Sequence, residues 1–252
     1  MKFSELTYQE IDQFVKAGAL VVLPTGCTEQ QGPHLPVDLD TWLVERISNA
    51  AAERLETTSS FPVLVPPALP YGPTPEHRNF GSGFIDLPQP LHEAVFEAVL
   101  ESLASQGFRR IVIWRGCGQH ELKNVVGRFN VGHKGESRVF QLDLPYHNIW
   151  SQIGDAAVPG GHADSFVTSL ALFLRPDAVR EDLIINPTND SVDFDAPELD
   201  FARYSRTGVI GDPTHASVDL GQQLWAAVVT QVAEIFRGIA QQALLRVGGS
   251  RA

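Results

Sequence analysis

Short apolar runs and longer stretches of helical periodicity alternate along this chain. The apolar runs predict four strands, at 19–23, 61–65, 111–114 and 138–143. Apolar residues recur at helical spacing in five other stretches, which predict helices at 41–55, 91–106, 122–129, 162–174 and 220–245. This order favours an α/β fold: a three-layer sandwich in which helices flank both faces of a mainly parallel sheet.

The length and apolar content predict one domain over residues 1–252. With 252 residues and 43% hydrophobic content, the chain can bury a full core without a second domain. An acidic stretch without a clear period, 186–205, is interpreted as an excursion that covers a neighbour or lines a cleft entrance. In parallel sheets, ligands bind outside the carboxyl ends of the strands, so chemically active residues are sought there.

Charge and cysteine content limit which binding partners and which cellular compartment are expected. The formal net charge of −11 argues against nucleic acid and anionic membranes as partners, because no basic patch is present to neutralise phosphates. No apolar run approaches the ~20 residues needed to span a bilayer, and the N-terminus does not resemble a signal peptide. Two cysteines do not form a disulfide framework, so a reducing, cytoplasmic location is predicted.

The stretch after the first predicted strand, LPTGCTEQQGPHLPVDLD at 23–40, concentrates chemically active side chains. Four of them are of types that bind divalent cations: Glu29, His34, Asp38 and Asp40. Glycines and prolines interrupt any helical period here, so the backbone can turn several of these groups inward together. The pattern indicates a metal site. The alternative is that Asp38 and Asp40 cap the helix predicted near Thr41.

Five blocks of the chain, in order, resemble the creatininase (creatinine amidohydrolase) family. The first is the 23–40 stretch, which resembles a family signature that begins Gly-Ser-x-Glu-Gln-His-Gly-Pro-His and closes on Thr-Asp. The others are YGPTPEHRNFGSGFIDL at 71–87, IVIWRGCGQHEL at 111–122, GGHADSFVTS at 160–169 and GVIGDPTHAS at 208–217. The resemblance covers most of the chain and implies the three-layer, creatininase-like fold.

The resemblance also implies a metal centre in which some ligands are kept and others are lost. Family members carry two divalent cations, and the residues that match the first ligand set are Glu29, Asp40 and Cys117. The second set maps onto Gln31, Asp40 and either Gln119 or Val167. Amide groups are weak ligands and valine is none. We therefore predict one metal ion per chain, bound by the first set.

Cys117 stands where the family has histidine, and this bears on the identity of the ion. A thiolate is softer than imidazole and adds negative charge, so it favours Zn²⁺; Mn²⁺ is the alternative ion. Three protein ligands and an open position are also the arrangement of a catalytic zinc. The plainer interpretation of Cys117 is an ordinary buried cysteine at a strand end.

Histidines in the matching blocks supply further candidates. The resemblance implies that His162 carries a proton to the leaving nitrogen, with Glu29 as the other catalytic residue; a structural role at a helix start is the alternative for His162. Candidates for substrate binding are His34, Glu76, His77 and His120. The spacing of His120 from Cys117 also allows it to complete the metal site, or to serve as part of a helix cap.

Several other residues carry alternative or plainer interpretations. Cys27 is read as a small side chain in a tight turn or as a nucleophile. Asp164 and Ser165 stand where the family has Gly and Glu, and a one-residue shift of the acid would turn its side chain by about 100° on a helix. The remaining histidines are predicted to be surface or packing residues: His92, His133, His147 and His215.

Two functions are compatible with this sequence. The first is a metal-dependent amidohydrolase that cleaves a C–N bond of a small cyclic amide or formamide-type substrate. The second is a catalytically altered or inactive relative that binds a small ligand or serves as a subunit, which the loss of the second ligand set favours. The resemblance further implies a homo-oligomer, with a hexamer as the family's form.

Overall fold

A computed structural model describes residues 1–59, 61–118, 120–143, 146–185, 192–196 and 198–242. Four strands form one sheet in the order β2-β1-β3-β4, and every neighbouring pair is parallel. The strands are β1 (Leu20–Thr25), β2 (Val63–Leu64), β3 (Arg110–Arg115) and β4 (Arg138–Asp143). The predicted mainly parallel sheet is therefore confirmed.

Strand β2 is shorter than the predicted 61–65. Proline at 62, 66 and 67 brackets it, and proline lacks the N–H group that a sheet ladder needs. Only two residues of β2 pair with β1, at Leu20↔Val63 and Val21↔Leu64. The pairing of β1 with β3 is longer and runs from Leu20↔Arg110 to Thr25↔Arg115. The ends of β1 and β3 therefore lie side by side.

Seven α-helices surround the sheet in the part of the chain that the structure describes. They are α1 (Tyr8–Lys16), α2 (Leu39–Ser59), α3 (Gln89–Ser105), α4 (Lys123–His133), α5 (Tyr146–Ile153), α6 (Ser165–Leu174) and α7 (Val218–Ala240). Helix α6 begins at Ser165 rather than at the predicted His162, because the Asp164 side chain accepts hydrogen bonds from the Phe166 and Val167 amides. Helix α7 ends at Ala240, and predicted positions 243–245 lie outside the described residues.

Alternate residues of the strands pack into two separate cores, as expected for a sheet covered on both faces. Leu20 and Val22 of β1 belong to a core completed by α2, α5, α6 and α7. Val21 and Leu23 belong to the opposite core, which α1, α3 and α4 complete. The predicted three-layer α/β arrangement is thus confirmed. None of the described helices is both long and apolar enough to cross a membrane.

Helices α6 and α7 approach closely at Gly221. A Cβ atom added there would overlap the Ser169 carbonyl oxygen and lie 2.8 Å from the Phe173 Cβ atom. We expect Gly221→Ala to reduce the free energy of unfolding by about 3 kcal/mol, because the backbone of a packed helix cannot yield without loss of other contacts. Urea unfolding measures the change.

Gly238, in the same helix, provides the matched control. An added Cβ atom there meets no atom within 4 Å among the described residues. Gly238→Ala should stabilise the protein by about 0.5–1 kcal/mol, because alanine has the higher helix propensity. Equal effects of the two substitutions would contradict the close approach of α6 and α7.

Candidate active site

A polar cluster lies where β1 and β3 end. The loop after β1 supplies Cys27, Glu29 and Gln31, and the loop after β3 supplies Cys117 and His120. Three further segments contribute one side chain or two each: Asp40 from the first turn of α2, Glu76 and His77 from the 3-10 helix Pro75–Phe80, and His162 from the loop before α6. The carboxyl ends of adjacent parallel strands therefore collect the predicted residues, as the topology requires.

Backbone and side-chain bonds fix the loop after β1. The Glu29 amide donates to the Val37 carbonyl at 3.0 Å, which folds the loop back on itself. The Thr41 hydroxyl donates to the Cys27 carbonyl at 2.9 Å and ties the loop to α2. Asp38 forms a bidentate pair with Arg175 at 2.9 and 3.0 Å. Asp38 is thus engaged away from the cluster.

Glu29 is the centre of the cluster. It is 3% exposed, and its Oε1 atom lies 3.4 Å from His77 Nε2 and 3.7 Å from His162 Nδ1. Its Oε2 atom lies 4.0 Å from the Cys117 sulfur. The Gln31 amide donates to Asp40 Oδ2 at 2.9 Å and lies 3.5 Å from Glu29 Oε1. A single carboxylate thereby lies beside ligand-type groups from three other segments.

The buried carboxyl groups have strongly divergent proton affinities. For Glu29, burial raises the pKa, but His77, His162 and a bond to Asp40 outweigh burial and lower the pKa to about 2. Burial and the Glu29 charge raise the pKa of Asp40 well above its usual value. Burial likewise raises the pKa of Glu76 to about 7. A bound cation would favour the ionised form of Asp40 and so oppose this rise in its pKa.

Gln30 organises the two imidazoles at Glu29. Its amide nitrogen lies 3.0 Å from His77 Nδ1 and 3.4 Å from His162 Nε2, and it donates to the Gly208 carbonyl at 3.2 Å. His162 Nε2 lies 2.7 Å from the Gln30 carbonyl oxygen, which can only accept a hydrogen bond. Nε2 therefore carries the hydrogen in neutral His162, and the Nδ1 lone pair faces Glu29. Burial, with His77, lowers the pKa of His162 to about 4.

A second backbone feature holds His162 in place. The His162 amide donates to the Ile210 carbonyl, and the Ile210 amide donates to the His162 carbonyl, both at 2.9 Å. The loop before α6 and the segment after Gly208 are thus joined by a reciprocal pair of bonds. Both parts come from blocks that resemble the creatininase family in sequence.

Potential metal ligands fall into four overlapping groups whose donor atoms lie within 4.8 Å of one another. The groups are Glu29 with His77 and His162, Cys27 with Glu29 and Asp40, Glu29 with Glu76 and Cys117, and Cys27 with Cys117 and His120. Glu29 belongs to three of them. The predicted set of Glu29, Asp40 and Cys117 is spread over two groups and stays a prediction.

The other candidates occupy different places. Glu76 and His77 are buried beside Glu29, whereas His34 is buried against α6, with Nε2 2.9 Å from the Thr168 hydroxyl. His120 lies with its Nε2 atom 3.4 Å from the Cys27 sulfur. Val167 lines the adjacent cavity but offers no ligand atom. Gln119 lies outside the described residues.

Two members of the cluster were not among the predicted site residues, although a nucleophile was the alternative interpretation of Cys27. Gln30 contacts His77 through its side-chain amide and His162 through its main-chain carbonyl, and Cys27 belongs to two of the groups of potential ligands. The only sequence signal for either was its position beside Glu29 in the first block. A residue that bridges two others has no characteristic spacing, so its role requires the three-dimensional contacts.

A cavity of about 530 Å³ opens over the cluster. Its polar end includes Glu29, Gln31, Asp40, Glu76 and Cys117. Aromatic side chains line the remainder: Tyr146, Trp150, Phe166, Phe194 and Phe201. The last two come from the predicted 186–205 excursion, part of which lies outside the described residues. An apolar chamber that ends in a few polar groups is the usual form of a small-molecule site.

The donor set suits a divalent cation. Two buried carboxylates and two thiols lie close together, and His77 Nε2 lies 3.4 Å from Glu29 Oε1. A doubly charged ion would compensate the buried negative charge. The layered fold and this cluster at the ends of its strands define the class as a metal-dependent amidohydrolase.

The chain belongs to the creatininase family: the family model, described as creatinine amidohydrolase, matches residues 4–236. It is 26% identical over 252 residues to the creatinine amidohydrolase of Pseudomonas putida, covering 92% of this chain and 95% of the relative. It is 29% identical over 239 residues to the mycofactocin precursor peptide peptidase of Mycobacterium tuberculosis, covering 89% and 87%. A mutant creatininase of Zn-Zn type superimposes with a TM-score of 0.82 at 24% identity, covering 96% and 98%.

Proposed function

We propose that this protein is a metal-dependent amidohydrolase that cleaves a C–N bond in a small cyclic amide or formamide-type substrate. The observation that carries this proposal is the buried group of carboxylates, imidazoles and thiols at the polar end of a 530 Å³ cavity. An apolar chamber of this size suits a compact small molecule. The similarity to a creatinine amidohydrolase supports this substrate class.

The cation in this proposal is held by Glu29, Asp40 and Cys117. The thiolate favours Zn²⁺, and the structural neighbour of Zn-Zn type supports that choice; Mn²⁺ remains the alternative. When bound, such an ion polarises a substrate carbonyl and makes water acidic enough to provide a nucleophile near neutral pH. Burial and the Glu29 charge raise the pKa of Asp40, so the cation competes with a proton at Asp40 more than at an ordinary aspartate.

His162 handles a proton in two stages. Because its pKa is lowered to about 4, the imidazole is uncharged near neutral pH. It can therefore protonate a departing nitrogen only after it has accepted a proton from the attacking water. Its Nδ1 lone pair faces Glu29, and the Gln30 carbonyl holds Nε2–H, so Nδ1 is the atom that accepts and returns the proton.

Glu76 is a second proton carrier. Its pKa of about 7 means that protonated and ionised forms coexist near neutral pH, which suits a group that both gives and takes a proton. We expect Glu76→Gln to lower kcat about 10²–10⁴-fold near neutral pH, while bound metal remains at the wild-type level. Steady-state kinetics and elemental analysis test this. An unchanged kcat, or loss of the metal, would assign Glu76 a different role.

The competing function is a catalytically altered relative that binds a small ligand or acts as a subunit. Gln31 and Val167 in place of second-set ligands favour it, since neither binds a cation well. Metal analysis of the purified protein, followed by a screen of cyclic amides, formamides and short peptides, separates the two. Bound zinc with turnover supports the hydrolase. Absence of metal after zinc addition supports the altered relative.

We also propose a homo-oligomer, with a hexamer as the expected form, and a cytoplasmic location. The partly exposed side chains of Trp42 and Trp225 could take part in contacts between copies. Neither nucleic acid nor a membrane is expected as a partner, in keeping with the net charge of −11. Light scattering of the purified protein measures the oligomeric state.

A further inference from the structure

The thiol side of the cluster forms an arrangement that the proposed ligand set leaves unused. The chain has two cysteines, 90 positions apart, and the fold brings both to one point together with His120. The two sulfur atoms and a His120 nitrogen all lie within 4.8 Å of one another, and Cys27 Sγ is 3.4 Å from His120 Nε2. All three residues are buried.

The His120 imidazole presents a ring nitrogen to the two thiols. The residue is buried, and its Nε2 atom lies 3.4 Å from the Cys27 sulfur. Its Nδ1 atom has no hydrogen-bond partner among the described residues. The neighbouring His92 ring, centred 4.6 Å away, is 1% exposed, and both of its nitrogens likewise lack partners in the described part of the chain.

Buried polar atoms without partners are costly, and this side of the cluster has three among the described residues: Nδ1 of His120 and both ring nitrogens of His92. Two thiolates and one imidazole are a donor set that zinc takes in enzymes, with a fourth position left open. Glu29 Oε2, 4.0 Å from the Cys117 sulfur, lies beside that position. The arrangement differs from the Glu29, Asp40 and Cys117 set, with which it shares one sulfur.

We propose that Cys27, Cys117 and His120 form a site for Zn²⁺ on the thiol side of the cluster, with two thiolates and one imidazole as ligands. Binding displaces the two thiol protons to solvent and forms two Zn–S bonds and one Zn–N bond. Because this site takes up Cys117, Glu29 and Asp40 are the members of the set proposed above that remain for a second cation. The sequence predicted one ion per chain, because Cys27 and His120 match no family ligand.

Gly72 has no side chain and so leaves the space that the His120 ring occupies. A Cβ atom added at Gly72 would overlap the His120 ring, whereas one added at Gly118 meets no atom within 4 Å among the described residues. Gly72→Ala should therefore displace the imidazole without removing any ligand. Gly118→Ala, close in sequence to both Cys117 and His120, is the matched control.

Titration of the full-length apo-protein with Co²⁺ tests the site, because cobalt bound to thiolates gives a charge-transfer band whose intensity follows the number of sulfur ligands. The chain contains no other cysteines, so the band reports on Cys27 and Cys117 alone. We expect a two-thiolate band in the wild type that falls by half in Cys27→Ser. His120→Asn and Gly72→Ala should weaken Co²⁺ binding by at least the roughly 10–100-fold that loss of an outer-shell partner costs.

The double variant Glu29→Gln with Asp40→Asn separates the test of the thiol site from the test of the proposed hydrolase activity. It should retain the two-thiolate band while losing hydrolysis, whereas Gly118→Ala should retain both. A one-thiolate band in the wild type that Cys27→Ser leaves unchanged would overturn the thiol site, as would the absence of any charge-transfer band. Wild-type protein that shows the band but hydrolyses no amide would overturn the proposed function alone. Circular dichroism of each apo-variant confirms the fold.

Discussion

Glu29→Gln should abolish cation binding at the carboxylate side and, with it, hydrolysis. Glutamine preserves the size of the side chain but removes the negative charge that Oε1 and Oε2 direct at His77, His162 and Cys117. A neutral amide binds hard and borderline cations weakly. We expect affinity for the cation at this position to fall by more than the roughly 100-fold typical of an outer-shell change, and turnover to fall with it.

Asp38→Asn is the matched control for this substitution. Asp38 lies in the same loop, but it is about half exposed and pairs with Arg175 rather than with the cluster. An exposed pair of this kind contributes only about 0–1 kcal/mol, so metal content and turnover should stay near wild type. Elemental analysis and kinetics on both variants measure the contrast. If Asp38→Asn lost the metal and Glu29→Gln kept it, the assignment of the centre would be wrong.

Burial of His34 and of His92 should each make the protein less stable between about pH 6.5 and pH 4. Burial lowers the pKa of both His34 and His92 from 6.5 to about 4. Above the unfolded pKa, both states are neutral and stability is full; as the pH falls toward 4, only the unfolded chain takes up the protons, so stability is lost. Each imidazole accounts for about 3 kcal/mol, at 1.36 kcal/mol per pKa unit.

Glu76 offsets part of this loss, because its raised pKa stabilises the fold as the pH falls below about 7, so the contribution of one imidazole is measured as a difference between variants. Urea unfolding at about pH 7 and about pH 5 measures the loss in free energy of unfolding. In His34→Gln this loss should be smaller by roughly the contribution of one imidazole. His147 is exposed, so His147→Gln should leave the pH-dependent loss in free energy of unfolding unchanged. If wild type and His34→Gln lost the same free energy of unfolding between these two pH values, the burial of a neutral His34 would be contradicted.

The sheet could be predicted because its strands follow a simple physical pattern. β1 and β3 are apolar on both faces, and both cores of the structure use their alternate residues. The shortening of β2 depends on prolines whose effect on pairing becomes definite only when the neighbouring strand is known. Helix α5 is eight residues long, too short for a clear period, and was not predicted.

The site could be predicted only in part. Glu29, Asp40 and Cys117 were candidates because they occupy family motif positions, and the parallel topology brings their loops to one edge of the sheet. The 3.4 Å contact of Cys27 with His120 joins residues 93 positions apart and leaves no local pattern. The pKa values of Glu76 and His162 likewise depend on burial, which the sequence does not specify at single residues.

The reciprocal bonds between His162 and Ile210 determine how long the proton-transfer geometry lasts. Each backbone amide is held by the other residue's carbonyl, so neither loop can leave without breaking both bonds. While that bridge is intact, the imidazole has one orientation, fixed by the Gln30 carbonyl on its other nitrogen. The lifetime of the competent arrangement is then set by cooperative local opening of two loops, and not by the much faster rotation of a side chain.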